Sequence, residues 1–262
     1  MRISSYFLCA KFFPAFLIVV MSSTSFAGGC SATSKQNITP LLEIYTSEGC
    51  SSCPPAERWL SQLPSEKTLS DRVVPLAFHV DYWDGLGWKD PFANPAFTAR
   101  QRYLDRLSGV VYTPQIFLGG SDYRGWTSRS RFAESLDGYA KIPAKAHIVM
   151  SLNRNEAGDD LLTLNVSDIQ ESAYKNLDIY LAIYENGLVS HVSAGENSGR
   201  ELTHDFVVRQ LLGPFKFDKN GAFNQTANLK AEWRARQAGA VSFVQNNLTG
   251  EIFQALAFKF CL

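Results

Sequence analysis

A chain of 262 residues, 45% hydrophobic and 13% aromatic, is long and apolar enough for one large or two small cores. Its 25 basic and 25 acidic residues balance, so its charge draws it neither to nucleic acid nor to an anionic lipid surface. No cofactor-binding pattern is read from it.

The first stretch reads as a signal peptide over residues 1–27. Arg2 and Lys11 supply positive charge, Phe12 to Met21 a short apolar core, and Ser25-Phe26-Ala27 small residues for cleavage. That core is short for a bilayer span, so the mature protein is expected to be exported, periplasmic or secreted, with no stable membrane insertion. Losing Arg2 and Lys11 leaves 23 basic against 25 acidic residues, a net charge of −2. The other export reading is a lipoprotein box at Ala27-Gly28-Gly29-Cys30, with Cys30 lipidated; Ala27 stands where such boxes usually carry Leu.

Residues 40–141 alternate between strand and helix. Leu41 to Thr46 reads as a strand, and Ala56 to Leu63 as a helix opened by Pro54-Pro55. Val73 to Val80 reads as a buried strand in which Pro75 requires an edge or early position. Asp81 to Pro95 is a loop rich in Gly, Pro and Trp, followed by a helix over Phe97 to Leu107. Pro114 to Leu118 and Tyr123 to Trp126 are strands, and Thr127 to Tyr139 is a last helix. Such alternation predicts parallel pairing. From residue 145 onward the signals change to short alternating strands, beginning with His147 to Leu152 and Leu161 to Val166. Leu177 to Tyr184 and Leu188 to Val192 flank Asn186-Gly187, a hairpin signal, and further strands are expected at Ala227 to Trp233, Ala240 to Gln245 and Ile252 to Phe260. The expectation is an α/β domain over 40–141 followed by an all-β antiparallel sandwich domain over 145–262.

Cys9 leaves with the signal peptide. Of the four remaining cysteines, Cys50 and Cys53 are the natural local pair, in Glu48-Gly49-Cys50-Ser51-Ser52-Cys53-Pro54-Pro55. Cys30 and Cys261 then form a terminal staple, unless Cys30 carries lipid or both remain thiols. A strand that delivers Cys-x-x-Cys to a helix start, with Thr113-Pro114 before a later strand, reads as a redox centre of the thioredoxin type. Cys50 would attack a disulfide of a protein or peptide partner and Cys53 would resolve the mixed disulfide. Thr113 and Pro114 would orient the partner chain, since an X-Pro bond is the common site for a cis peptide. Half a zinc site and an inert structural disulfide are the plainer readings of the cysteines.

Residues 40–141 thus resemble a thioredoxin-like domain. Glu43 to Pro55, His79-Val80-Asp81-Tyr82-Trp83 and Tyr112-Thr113-Pro114-Gln115 resemble, more narrowly, the exported bacterial family known as domain of unknown function 1223. The resemblance extends to Gly195-Glu196-Asn197 and His204 to Arg209. It implies a thioredoxin-like fold and a periplasmic location, and no activity. Gly49 stands where true thioredoxins carry Trp, and Ile44 where they carry a buried acid. Pro54-Pro55 disfavours a helical Cys53 and delays the helix. These departures point to a narrow partner.

His79 and Asp81, at the end of the Val73 to Val80 strand, are candidates for the missing proton acceptor. Alternatively His79 joins Cys50 and Cys53 as ligands for a soft metal such as copper; the plain reading is a hydrogen-bonded strand end with Asp81 capping the next loop. Tyr82, Trp83, Trp88 and Phe92 form an aromatic loop that lines a peptide groove over Cys50 or packs against the sandwich domain. Glu196, Asn197, Arg200, His204 and Arg209 read as polar strand residues or an inter-domain network. A Ser193/His191/Asp205 hydrolase triad lacks a nucleophile elbow.

Overall fold

The computed structural model describes Met1 and residues 29–66, 68–106, 109–167, 174–229 and 237–261. Residues 2–27 of the expected signal peptide, with Cys9, lie outside the described residues, as do Leu107 and Trp233. In chain order the elements are β1 (Cys30–Thr33), β2 (Leu41–Thr46), α1 (Pro54–Gln62), β3 (Val74–His79), α2 (Pro95–Asp105), β4 (Gln115–Leu118), β5 (Ser121–Asp122) and α3 (Arg129–Tyr139). They continue with β6 (His147–Arg154), β7 (Asp160–Ser167), β8 (Leu177–Glu185), β9 (Leu188–His191), β10 (Glu201–His204), β11 (Val207–Phe215), β12 (Phe223–Asn228), β13 (Ala238–Asn246) and β14 (Ile252–Lys259). None of the described helices is long and apolar enough to cross a membrane.

Strands dominate, and they organise the chain differently from the α/β thioredoxin-like domain plus separate sandwich that the sequence predicts. One sheet of eight strands runs β14-β13-β8-β11-β3-β2-β4-β5 and joins elements from both halves of the chain. Its only parallel pairs among the described residues are β2 with β3 and β3 with β11. β4 runs antiparallel to β2 and then turns back into β5 through Gly119 and Gly120, at φ +63° and +91°, a backbone that glycine adopts without strain. The alternation of strands and helices therefore does not deliver a parallel α/β layer. Antiparallel strands of the second half extend the sheet instead, through the pairing of Val207 on β11 with Ala77 on β3.

The residue pattern of β8 explains the join. Leu177, Ile179, Leu181 and Ile183 enter one core cluster, whereas Tyr180, Ala182 and Tyr184 enter another. A strand apolar on both faces must be covered on both, so it becomes an interior strand. On one face lies the four-stranded sheet β1-β6-β7-β12, whose inward residues Ile148, Met150, Leu152, Leu162, Leu164 and Val166 fill the shared core. The opposite face carries Phe97 and Leu104 of α2. β2 splits its residues likewise: Leu41 and Tyr45 face α2, while Leu42 and Ile44 pack against Leu60 of α1 and Leu136 of α3. Pro75 is early in β3 but not on an edge strand. Its missing N–H points the same way as that of Ala77, and β11 begins pairing only at Ala77.

Asn186-Gly187 does not fold β8 onto β9. Gly187, at φ +66°, turns the chain away from the sheet, and β9 pairs with β10 as a separate two-stranded hairpin. Asn186 Oδ1 accepts a hydrogen bond from the Phe206 N–H, and Asp205 accepts one from the Gly187 N–H, fixing both ends of the arm. The loop between β9 and β10, residues 192–200, reaches the segment between β2 and α1. Residues 121–127 also differ from expectation, with a two-residue β5 followed by a 3-10 turn at Gly125–Thr127.

Candidate functional site

β2 ends at Thr46, paired in register with His79 at the end of β3, so the loop after β2 and the end of β3 lie side by side. Cys50 and Cys53 close a disulfide across this loop, with Cα atoms 5.5 Å apart. The Cys53 N–H donates to the Cys50 carbonyl at 3.2 Å, and the Ala56 and Glu57 N–H groups donate to the Cys53 carbonyl. This turn holds Cys53 at φ −77°, ψ −39° as the N-cap of α1, so the helix begins directly at Pro54. The local bonds override the preference of a pre-proline residue for extended backbone, and the expected delay of the helix does not occur. Both cysteines are buried, while Ser51 and Ser52 are exposed.

Thr113 and Pro114 arrive on the segment before β4. Their peptide bond is cis, and the Thr113 carbonyl oxygen lies 3.8 Å from Cys50 Sγ. The aromatics of the loop after β3 are half-buried beside the disulfide. Trp83 Nε1 donates to Thr113 Oγ1 at 2.8 Å, and Trp88 Nε1 donates to Glu48 Oε2 at 2.6 Å. A Cβ on Gly49 would meet Trp83 Cβ at 3.3 Å, so glycine before Cys50 makes room for an indole from another loop.

The loop between β9 and β10 covers the other side. Asn197 is fully buried, and its Nδ2 donates to the carbonyls of Glu48 and Cys50 at 2.8 and 3.0 Å. Glu196 Oε2 accepts from the Ser51 N–H at 2.9 Å, which holds its carboxyl below the usual range. The polar residues Glu196, Asn197 and His204 thus form a network joining the two halves of the chain, one of the alternatives read for them. Arg209 instead pairs with Glu185, and Cys30 is bonded to Cys261, which engages the sulfur a lipid anchor would use.

Behind the disulfide lies a buried cluster that the sequence does not announce. His204, from β10, places Nδ1 2.6 Å from Glu57 on α1 and Nε2 3.1 Å from Glu48. Burial pushes the imidazolium down, but hydrogen bonds to both carboxylates and their charges prevail and raise its pKa to about 10. Burial pushes Glu57 up, yet the hydrogen bond and charge of His204 hold it below its ordinary value; Thr46 Oγ1 donates to its other oxygen. His79 Nδ1 lies 2.7 Å from Asp90 Oδ2, which also accepts from the Glu48 N–H at 2.9 Å. Asp90 is likewise pushed up by burial and held low by His79 and by backbone N–H groups. His79 Nε2 is buried without a hydrogen-bond partner, and the two imidazoles meet edge to face with centroids 5.1 Å apart.

Asp81 stands outside this cluster. Thr98 Oγ1 donates to its Oδ1 at 2.5 Å and accepts from its N–H at 3.2 Å, tying the loop to α2. Of the residues read from sequence, the structure thus gathers Cys50, Cys53, Thr113 and Pro114 at the disulfide and His79 in the cluster behind it. Sequence reasoning missed Glu48, Glu57 and Asp90. Glu57 carried a faint signal, being an acid between Ala56 and Leu60 on the inward face of a helix.

The fold and site define a β-rich protein with a covered Cys-x-x-Cys disulfide backed by buried carboxylates and imidazoles. The chain belongs to the family described as Protein of unknown function (DUF1223), whose model matches residues 41–245. No curated protein matches it. Among solved structures it is similar to protein AGR_C_4864 of Agrobacterium tumefaciens, at 24% identity and a TM-score of 0.60, over 86% of this chain and 96% of that one. It is also similar to HBP35 of Porphyromonas gingivalis, at 14% identity and a TM-score of 0.64, over 87% of this chain and 76% of that one. At these identities the likeness is one of fold.

Proposed function

We propose that this is an exported thiol–disulfide exchange protein acting on a protein or peptide partner. The observation that carries the reading is a Cys50–Cys53 disulfide at the start of α1 with the Thr113 carbonyl 3.8 Å from Cys50 Sγ. In the reduced protein the Cys50 thiolate attacks one sulfur of a partner disulfide and expels the other as a thiolate. Cys53, as thiolate, then attacks the Cys50 sulfur and releases the second partner thiol. Two electrons pass to the partner, and the reverse sequence oxidises a partner dithiol. Thr113 and Pro114 lie where the partner's chain would run beside Cys50.

Because both cysteines are buried under residues 192–200 and the aromatic loop, exchange requires that cover to lift. Selectivity for a partner that displaces Asn197 follows, and small thiols react slowly. Metal handling through Cys50, Cys53 and His79 requires the reduced pair; the unpartnered His79 Nε2 speaks instead for a metal held by a different set of ligands.

The test is the reduction potential of the Cys50–Cys53 pair in the intact mature protein, read by thiol trapping and peptide mass analysis across a glutathione series. A value of roughly −270 to −120 mV supports exchange. A value below about −300 mV marks a structural bond, and the reading falls.

A further inference from the structure

We propose that Glu57, His79 and His204 form a binding site for one divalent transition-metal ion, zinc in type, independent of the cysteines. One ligand atom from each of the three lies within 4.8 Å of the others, and all three residues are buried.

The arrangement around the imidazoles supports this. A metal-bound histidine ordinarily gives its second nitrogen to a carboxylate or carbonyl, which sets the tautomer and strengthens the ligand. Both histidines have that partner: His79 Nδ1 lies 2.7 Å from Asp90, and His204 Nε2 lies 3.1 Å from Glu48. Each therefore keeps its other nitrogen for the cluster. His79 Nε2 is buried with nothing to bond, a costly state for a polar atom unless a ligand satisfies it. His204 Nδ1 now shares a hydrogen with Glu57 at 2.6 Å, the place a metal would take.

Charge points the same way. Glu48, Glu57 and Asp90 are three buried carboxylates facing two imidazoles. A divalent cation held between the two imidazoles would offset negative charge in this cluster. Two imidazoles and one carboxylate suit zinc or ferrous iron better than magnesium or calcium, which prefer oxygen alone. Phe92 packs edge-on against both rings and helps keep the site dry.

The test uses the mature, oxidised protein, stripped with chelator, desalted and incubated with Co2+ until uptake is constant. One retained ion per chain is expected, with visible bands of nitrogen and oxygen ligation and no thiolate charge-transfer band. The spectrum should be unchanged in the Cys50→Ser/Cys53→Ser variant. Asp90→Asn should weaken binding by about 10- to 100-fold, and His79→Gln, which removes a ligand, by more, with near-ultraviolet dichroism confirming the fold. Should a variant fail to fold, the stoichiometry and spectrum of the wild-type protein decide. Less than stoichiometric retention, a thiolate band, loss of binding in the double serine variant or full binding by folded His79→Gln would each overturn the proposal.

Discussion

His204 on β10 and Glu57 on α1 stand 147 positions apart in the sequence and share a buried hydrogen bond of 2.6 Å. Together with the bond from His204 to Glu48, this contact fastens the β9–β10 arm to the cysteine loop, so the protonation of one ring bears on the whole assembly.

Stability should therefore respond to pH on two limbs. The His204 pKa rises from 6.5 to about 10 on folding, so its contribution is complete below pH 6.5 and is lost as pH climbs towards 10. Glu57 and Asp90 are lowered from 4.5 and 3.8, so their contributions are present above those values and fade as pH falls through the depressed ones. Thermal melts in metal-free buffer should show a plateau between these windows. His204→Gln should melt lower and flatten the alkaline limb; a wild-type curve that is level from pH 6.5 to 10 would refute the account.

Asn197 is the latch of the cover. Its two donated bonds, to Glu48 and Cys50 carbonyls, are each worth about 1 kcal/mol. Asn197→Ala should raise the rate at which dithiothreitol reduces the Cys50–Cys53 bond by about 30-fold, through more frequent local opening. An unchanged rate would mean that access comes from another side.

Arg100 of α2 forms a buried, two-pronged pair with Glu43 of β2, at 2.6 and 2.9 Å, and reaches Gln245 of β13 at 3.1 Å. Its guanidinium also lies over the rings of Phe243 and Tyr180. Removing one partner of such a pair leaves an uncompensated charge, so Arg100→Ala should cost about 3–5 kcal/mol in urea unfolding. The double change Arg100→Met/Glu43→Leu should recover most of that loss.

Replacing Cys30 and Cys261 together by serine should lower unfolding stability by about 2–5 kcal/mol, because the bond closes a long loop in the unfolded chain. Comparison of denaturant midpoints for the two proteins checks it.

What the sequence revealed was mostly local. The cysteine loop, the strand Leu41–Thr46 and the helix after it are written in adjacent residues, because caps, prolines and apolar periodicity act over a few positions. β8 was legible as a strand beside a turn, but not which neighbours would bury it on both faces. The pairing of β11 with β3 joins positions about 130 residues apart through backbone N–H and C=O groups that nearly every residue carries, so side-chain pattern does not specify it. The buried cluster escaped for a related reason. Asp90 sits 11 residues after His79 in an irregular loop, where spacing carries no geometric meaning, and His204 reaches Glu57 only once the arm has folded across. Asn186-Gly187 was legible as a turn, while the direction of the turn was settled by Asp205 and Phe206.

The bond between Cys30 and Cys261 gives the described backbone the connectivity of a ring. A single cut by a protease in an exposed turn, such as that around Gly158, opens the ring into one molecule with two new ends and releases no fragment. Detaching a piece takes a second cut. The same closure leaves surface turns open as alternative starting points for a circularly permuted chain.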